Sequence, residues 1–252
     1  LPLHGPRRIG AQSGDALFDG ELVDTVHVAL DLQGTGGDVP SGLDLLERHK
    51  GDADESDQTL ADRVLAERDA LLSAVEPLAQ RAKGSLLTRI HGDLHLGQVL
   101  VAHDDAYIID FEGEPARSLA ERRAKDCPLR DVAGMLRSFD YAGARMDEAA
   151  VGKPSDDTVS EVTHDVAERY LIASRRAFLD AYWQSTADIA RRWASPEGAD
   201  AALELFVLEK TVYEIAYEAA NRPAWLGVPL RGLAAIVDQL STSEQLSKRE
   251  SP

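Results

Sequence analysis

Cysteine is almost absent from this chain: Cys127 is the one thiol among 252 residues. A single cysteine excludes an intrachain disulfide and fits a reducing, cytoplasmic setting. Long apolar runs are missing too. No stretch approaches the roughly 18 residues that a membrane-spanning helix needs, so no membrane partner is expected. Cations are scarce, 27 Lys and Arg against 44 Asp and Glu, for a net charge of −17. That surplus repels phosphate backbones and anionic lipid, which argues against nucleic acid as a partner. A small phosphate-bearing substrate stays open, because bound Mg²⁺ offsets local negative charge. The chain shows no fixed-period repeat. It also has no G-x-G-x-x-G, no G-x-x-x-x-G-K-[ST] and no G-x-S-x-G, so dinucleotide-binding, P-loop and serine-hydrolase readings lose their main support. Leu1 to Pro6 form no signal peptide and include no Met, as though cut from a longer chain.

What is present centres on Arg89 to Gln98 (RIHGDLHLGQ), then Val99 to Val101, then Tyr107 to Gly113 (YIIDFEG). The two apolar runs are short and β-branched, and His103-Asp104-Asp105 between them reads as a hairpin turn. Closing that hairpin brings Asp93, Gln98 and Asp110 together. Two carboxylates and an amide oxygen suit a hard, oxygen-loving cation such as Mg²⁺. Phosphoryl transfer needs that set: one Asp for the attacking hydroxyl, the other groups for metal on the nucleotide phosphates. His91 and His95 stand four apart, but Gly92 and Gly97 argue for a loop, and no third ligand at recognisable spacing supports zinc.

The rest of the chain, with an apolar content of 44%, suffices for one large domain or two small ones. Residues 1–58 read as an irregular segment followed by an acidic connection over Gln33 to Gln58 with one apolar island, Leu43 to Leu46. Glu21 to Leu32 is a short apolar element of unsettled class, with His27 as a packing residue. Thr59 to Gln80 has helical periodicity through Leu60, Val64, Leu71, Val75 and Leu78, with Ser56 or Asp57 as cap and Pro77 as the expected kink. Leu86 to Ile90 reads as a strand leading into the acidic loop. Pro128 opens a helix with a buried face of Leu129, Val132, Ala133, Leu136 and Phe139. Asp131 in its first turn either complements the helix dipole or braces the loop. Gly143 to Asp157 reads as loop, Val159 to Trp193 as helix and Ser241 to Pro252 as a frayed tail. Leu203 to Ala219 forms a helix with two stripes. Leu205, Leu208, Val212 and Ile215 face one way; Phe206, Lys210, Tyr213 and Tyr217 face another, with Glu214 beside Lys210. The second stripe is either a sugar-binding face or a further packing surface.

The pattern H-G-D-x-x-x-x-Q, followed twelve residues after Gln98 by Asp110-Phe111, resembles the catalytic segment of the aminoglycoside phosphotransferase and choline kinase-like family. That resemblance implies an α+β, mostly helical chain: the C-terminal lobe of a protein-kinase-like fold, with a small hairpin carrying the catalytic loop. It implies Asp93 as catalytic base, Gln98 and Asp110 as metal ligands, and His91 and Asp131 as structural support of the loop. ATP and Mg²⁺ are the implied cofactors. Ile109 to Arg117 (IDFEGEPAR), Leu119 to Arg122, Pro128 to Tyr141 and Lys210 to Trp225 extend the resemblance toward the maltokinases. By that resemblance the acceptor is the anomeric hydroxyl of maltose, on an α-glucan and trehalose route, with a trehalose-converting enzyme as partner or fusion. His95, Lys210, Tyr213, Glu214 and Tyr217 become substrate contacts. The alternatives are a kinase for glucosamine, another sugar or an aminoglycoside, with Glu114, Glu214 and Glu218 available to an amine, and a truncated glycan- or partner-binding module. Nothing before Asp93 shows the strand-Lys-strand pattern of a nucleotide-gripping lobe. Residues 59–252 are therefore expected to be a C-terminal catalytic lobe, either cut from a longer enzyme or naturally short, with poor or no ATP-dependent turnover alone.

Overall fold

The computed structural model describes residues 7–8, 39–103, 105–115, 117–151, 157–187 and 195–250. Glu21 to Leu32, with His27, and the first part of the expected acidic connection lie outside the described residues. Eight helices and three short strands are described. They are β1 (Arg7–Arg8), α1 (Val39–His49), α2 (Glu55–Ala66), α3 (Arg68–Ala82), β2 (Val99–Ala102), β3 (Asp105–Ile108), α4 (Leu119–Arg123), α5 (Leu129–Val151), α6 (Asp157–Ser185), α7 (Pro196–Asn221) and α8 (Gly227–Glu250).

The second half of the connection is helical rather than open. Val39, Leu43 and Leu46 recur at helical spacing, and all three are buried in α1 against α7. The long helix expected over Thr59 to Gln80 is two helices. The chain leaves helical geometry at Glu67, and Pro77 sits inside α3. The break lets α2 pack on α8 while α3 packs on α7. The cap of α2 is Asp54, whose carboxylate accepts from the Asp57 N–H at 2.9 Å. Among the described residues, Leu86 to Ile90 pairs at one isolated bridge, Thr88 to Asp126, in place of the expected strand. Gly143 to Val151 continues α5, and α8 runs on to Glu250.

Helix α7 is the axis. Its Leu205, Leu208, Val212 and Ile215 are essentially inaccessible to water and join α1, α2, α3 and α8 in one core. Each such side chain contributes roughly 1.5–3 kcal/mol on burial. On its other side Phe206 and Ala202 meet α5 through Leu129, Val132, Ala133 and Leu136. The sheet has the order β1-β3-β2, all antiparallel. Val99 faces Ile108 and Ala102 faces Asp105, the hairpin expected from the two β-branched runs. The hairpin projects the acidic loop onto the first turns of α5.

Candidate functional site

The loop from His91 to Gln98 is held from below by α5. Asp131 accepts from the His91 N–H at 2.7 Å and the Gly92 N–H at 2.9 Å, a two-donor grip on the residues just before Asp93. Burial pushes the Asp131 carboxyl up from its ordinary range, against the downward pull of those two N–H donors. Of the two expected roles for this residue, the geometry shows the brace. Ser138 accepts from the Leu96 N–H at 3.1 Å. Between them Gly134 lets the loop touch the helix: a Cβ there would stand 2.6 Å from the Leu94 carbonyl oxygen. His91 is a buried strut. Its Nδ1 accepts from the Asp93 N–H at 3.3 Å, so Nε2–H donates to the Ile109 carbonyl at 2.7 Å, and its ring lies 4.9 Å from Phe111. The loop before β2 is thereby tied to the end of β3.

At that end Asp110 has φ +63°, a left-handed conformation unusual for a residue with a side chain and typical of functional sites. The Gln98 amide donates from Nε2 to Asp110 Oδ2 at 3.2 Å. Gly92, at φ +83°, lies against Gly113, whose Cα would be 3.3 Å from a Cβ at Gly92. The two loops meet backbone to backbone there, which only glycine permits. Asp110 and Gln98 thus share one corner, with the amide nitrogen of Gln98 toward the carboxylate. A carboxylate and an amide oxygen suit a hard cation that keeps most of its waters. Among the described residues no cluster of three or more His, Cys, Asp and Glu has metal-binding geometry.

Opposite stands the polar stripe of α7. Lys210 Nζ is 3.9 Å from Glu114 Oε2 and 5.0 Å from the Tyr213 ring centroid. The Tyr213 phenol is pushed up by burial and then by the nearby Glu114 and Asp93 carboxylates, so its oxygen lies within electrostatic reach of the candidate base. Tyr213 and Tyr217 stack with centroids 6.5 Å apart. His95 caps the turn before β2, its Nδ1 accepting from the Gly97 N–H at 3.1 Å. Glu114, Lys210 and Tyr213 are therefore brought together, and Tyr217 extends the stripe outward.

Glu214 is placed differently from the expected substrate contact. It is buried behind the stripe at 2.8 Å from Arg137, whose guanidinium also engages Asp140. Its carboxyl is raised by burial, with Arg137 and Lys210 opposing. Sequence reasoning also missed Arg130, which lies 2.8 Å from Asp126 and 2.6 Å from Glu209 and joins the first turn of α5 to α7. The i, i+4 spacing of Asp126 and Arg130 was the one local signal; Glu209 is far away in sequence.

No family model matches the chain. It is 28% identical over 221 residues to a glucosamine kinase of Streptacidiphilus jiangxiensis, covering 83% of this chain and 46% of that protein. It is 32% identical over 150 residues to a glucosamine kinase of Mycolicibacterium smegmatis, covering 59% of this chain and 34% of the relative. Among solved structures, a glucosamine kinase in crystal form B superposes with a TM-score of 0.59 at 23% identity, over 81% of this chain and 47% of the other. A glucosamine kinase in complex with glucosamine, ADP and inorganic phosphate gives a TM-score of 0.57 at 25% identity, over 84% and 50%. The chain spans about half or less of the length of the curated relatives it matches.

These matches correct two expectations. The relatives are glucosamine kinases, so the maltokinase resemblance does not stand. The motifs that suggested it lie on the loop, the end of the hairpin, α4, α5 and the second half of α7. The fold is the mostly helical one with a small sheet shared with glucosamine kinase structures, and a protein-kinase-like lobe finds no support. A short motif specifies a local loop and not the topology around it. Among the described residues no helix is long and apolar enough to cross a membrane.

Proposed function

We propose that this chain is part of an ATP-dependent sugar kinase whose acceptor is glucosamine or a close amino sugar. The observation that carries the reading is the pairing of Lys210 with Glu114 beside Tyr213, on a phenol that also feels the Asp93 carboxylate, in a chain similar over most of its length to a glucosamine kinase. In this reading Asp93 accepts the proton of the attacking sugar hydroxyl. Asp110 and Gln98 would hold Mg²⁺, which when bound neutralises charge on the nucleotide phosphates. Asp131, His91, Gly134 and Ser138 keep Asp93 in place, so little is reorganised during reaction. The acceptor lies along α7, where Tyr213 and Tyr217 present aromatic faces and hydroxyls to the ring, Lys210 donates, and His95 stands near the reacting hydroxyl. Glu114 and Asp93 give that wall the negative character that suits an ammonium substituent. Glu214 acts from behind, holding Arg137.

Calorimetric titration with glucosamine, N-acetylglucosamine and maltose, paired with a coupled ADP-release assay, tests this. Glucosamine should bind and maltose should not, and any ADP release should depend on the amino sugar. A chain that binds maltose and ignores glucosamine would overturn the acceptor; one that binds no sugar would overturn the reading.

A further inference from the structure

Helices α3, α5, α6, α7 and α8 leave a cavity between them that the proposed mechanism does not use. Its volume is about 320 Å³, at the small end of the range of small-molecule sites. Leu78, Leu136, Leu179, Leu203 and Ile236, one from each helix, give it apolar walls. Three charged residues join them: Asp200 and Glu204, one turn apart on α7, and Arg175 of α6. Arg175 is committed within the protein, its Nη1 lying 2.9 Å from Asp140 Oδ1. The two carboxylates are exposed, and Glu204 stands 4.0 Å from Arg81 with more than half of each side chain in water. The charge left for a guest is therefore negative, beside an apolar lining. That combination fits a molecule with an apolar body and one ammonium group. The cavity wall also reaches toward the acceptor side. Asp140, which holds Arg175, engages Arg137 as well, and Arg137 Nε donates to Glu214 at 2.8 Å. Arg137 is enclosed, at 2% exposure, with Gly232 of α8 directly against its Nη1. Glu214 lies one turn from Lys210 on α7.

We propose that this cavity is a second small-molecule site, taking an apolar amine in its ammonium form, and that Arg175 links its occupancy to the acceptor wall. The apolar body lies on the leucine-rich lining, and the ammonium sits at Asp200 and Glu204. It then shares the cavity with the Arg175 guanidinium, and the two cations repel. Arg175 responds through Asp140, whose carboxylate is shared between Arg175 and Arg137. A change at Asp140 reaches Glu214 through Arg137, because buried ion pairs are little screened by salt. Such a coupling is reciprocal in binding free energy. The link to the acceptor rests on the sugar-kinase reading; the cavity site itself does not.

The test is calorimetric titration of the chain with 2-phenylethylamine, and with 2-phenylethanol and phenylacetate as its neutral and anionic counterparts. The amine should bind most tightly and the carboxylate least. Asp200→Asn combined with Glu204→Gln should weaken the amine about three- to tenfold and leave the alcohol within about twofold. Leu203→Trp, which fills the cavity, should abolish binding of both. Thermal melting reports on folding, and Val207→Trp, on the same lining, serves if Leu203→Trp misfolds. In wild type, saturating amine should shift glucosamine affinity by about fivefold or more, and glucosamine should shift amine affinity by the same factor. Arg175→Gln should remove that shift while amine binding stays within about threefold. No binding, no preference for the cation, or binding that survives Leu203→Trp overturns the proposal. So does strict competition with glucosamine, which would put the amine in the acceptor site, and so does a glucosamine affinity that the amine leaves unmoved or moves equally in Arg175→Gln. Amine binding that Leu203→Trp abolishes, in a chain that binds no sugar, would overturn the sugar-kinase reading and leave the cavity site standing.

Discussion

The two walls of the site are built to different tolerances. The loop carrying Asp93 is gripped at 2.7 and 2.9 Å by Asp131 and at 3.1 Å by Ser138, and it rests directly on Gly134. On the wall facing it, α7 itself is tied to α5 by short pairs at 2.6 and 2.8 Å, but the side chains of its polar stripe meet their neighbours at longer range: Lys210 to Glu114 at 3.9 Å, with Tyr217 44% exposed beyond. Short hydrogen bonds to buried backbone leave one geometry, whereas stretched, partly solvated ion pairs add little stability and rearrange easily. In the proposed function the first wall serves any acceptor and the second must fit one. Motif reading pointed to a sugar kinase, and the relatives are glucosamine kinases rather than maltokinases.

The sharpest way to separate the walls is Asp93→Asn. Removing the base while keeping its shape should lower kcat by about 10²–10⁴-fold. Glucosamine affinity should stay within about threefold, because Tyr213, Tyr217 and Lys210 on the second wall supply most of that binding in the proposed arrangement. Steady-state kinetics with parallel calorimetry reads both quantities. Unchanged turnover would remove Asp93 from its role, and lost sugar binding would place the acceptor on the first wall instead.

Asp131→Ala should have the next largest effect, on stability. It strands the His91 and Gly92 N–H groups, and each stranded buried donor costs about 1–3 kcal/mol. A loss of about 2–4 kcal/mol in the free energy of urea unfolding is expected on that ground. Lys210→Ala on the opposite wall should cost under about 1 kcal/mol. Equal losses in the two variants would erase the contrast.

What sequence could supply follows the same division. The hairpin was legible because two β-branched runs flank a turn, whereas position alone left Asp131 between a dipole role and a brace, and only its hydrogen bonds to the His91 and Gly92 N–H groups separate the two. The buried stripe of α7 was legible because helical periodicity is local. Helix α1 was missed although Val39, Leu43 and Leu46 recur at helical spacing, because Gly and Asp around them outweighed three apolar residues. The break at Glu67 has no local cause; α2 and α3 simply have different partners. Arg130 to Glu209 and Arg137 to Glu214 join α5 to α7 across long sequence separations that periodicity cannot span. Those pairs decided that Glu214 lies behind the polar stripe and not on it.

The smallest expected effect probes the looser wall directly. The Tyr213 phenol is raised by burial first, then by Glu114, then by Asp93, with Arg117 opposing. Glu114→Gln removes the larger of the two carboxylate contributions and should bring the phenol down toward the ordinary tyrosine range. Asp93→Asn should bring it down less. Absorbance near the phenolate band, with Tyr213→Phe subtracted, isolates this one group. The sign extends to stability. A phenol raised in the folded state favours folding below the ordinary tyrosine range, and that contribution is lost as pH rises through the folded value. Glu114→Gln should narrow that alkaline window. If the titration ignores Glu114 and follows Asp93 alone, the Lys210–Glu114 pair has swung away from Tyr213 in solution. The second wall would then be looser still, and the acceptor itself would have to draw it closed.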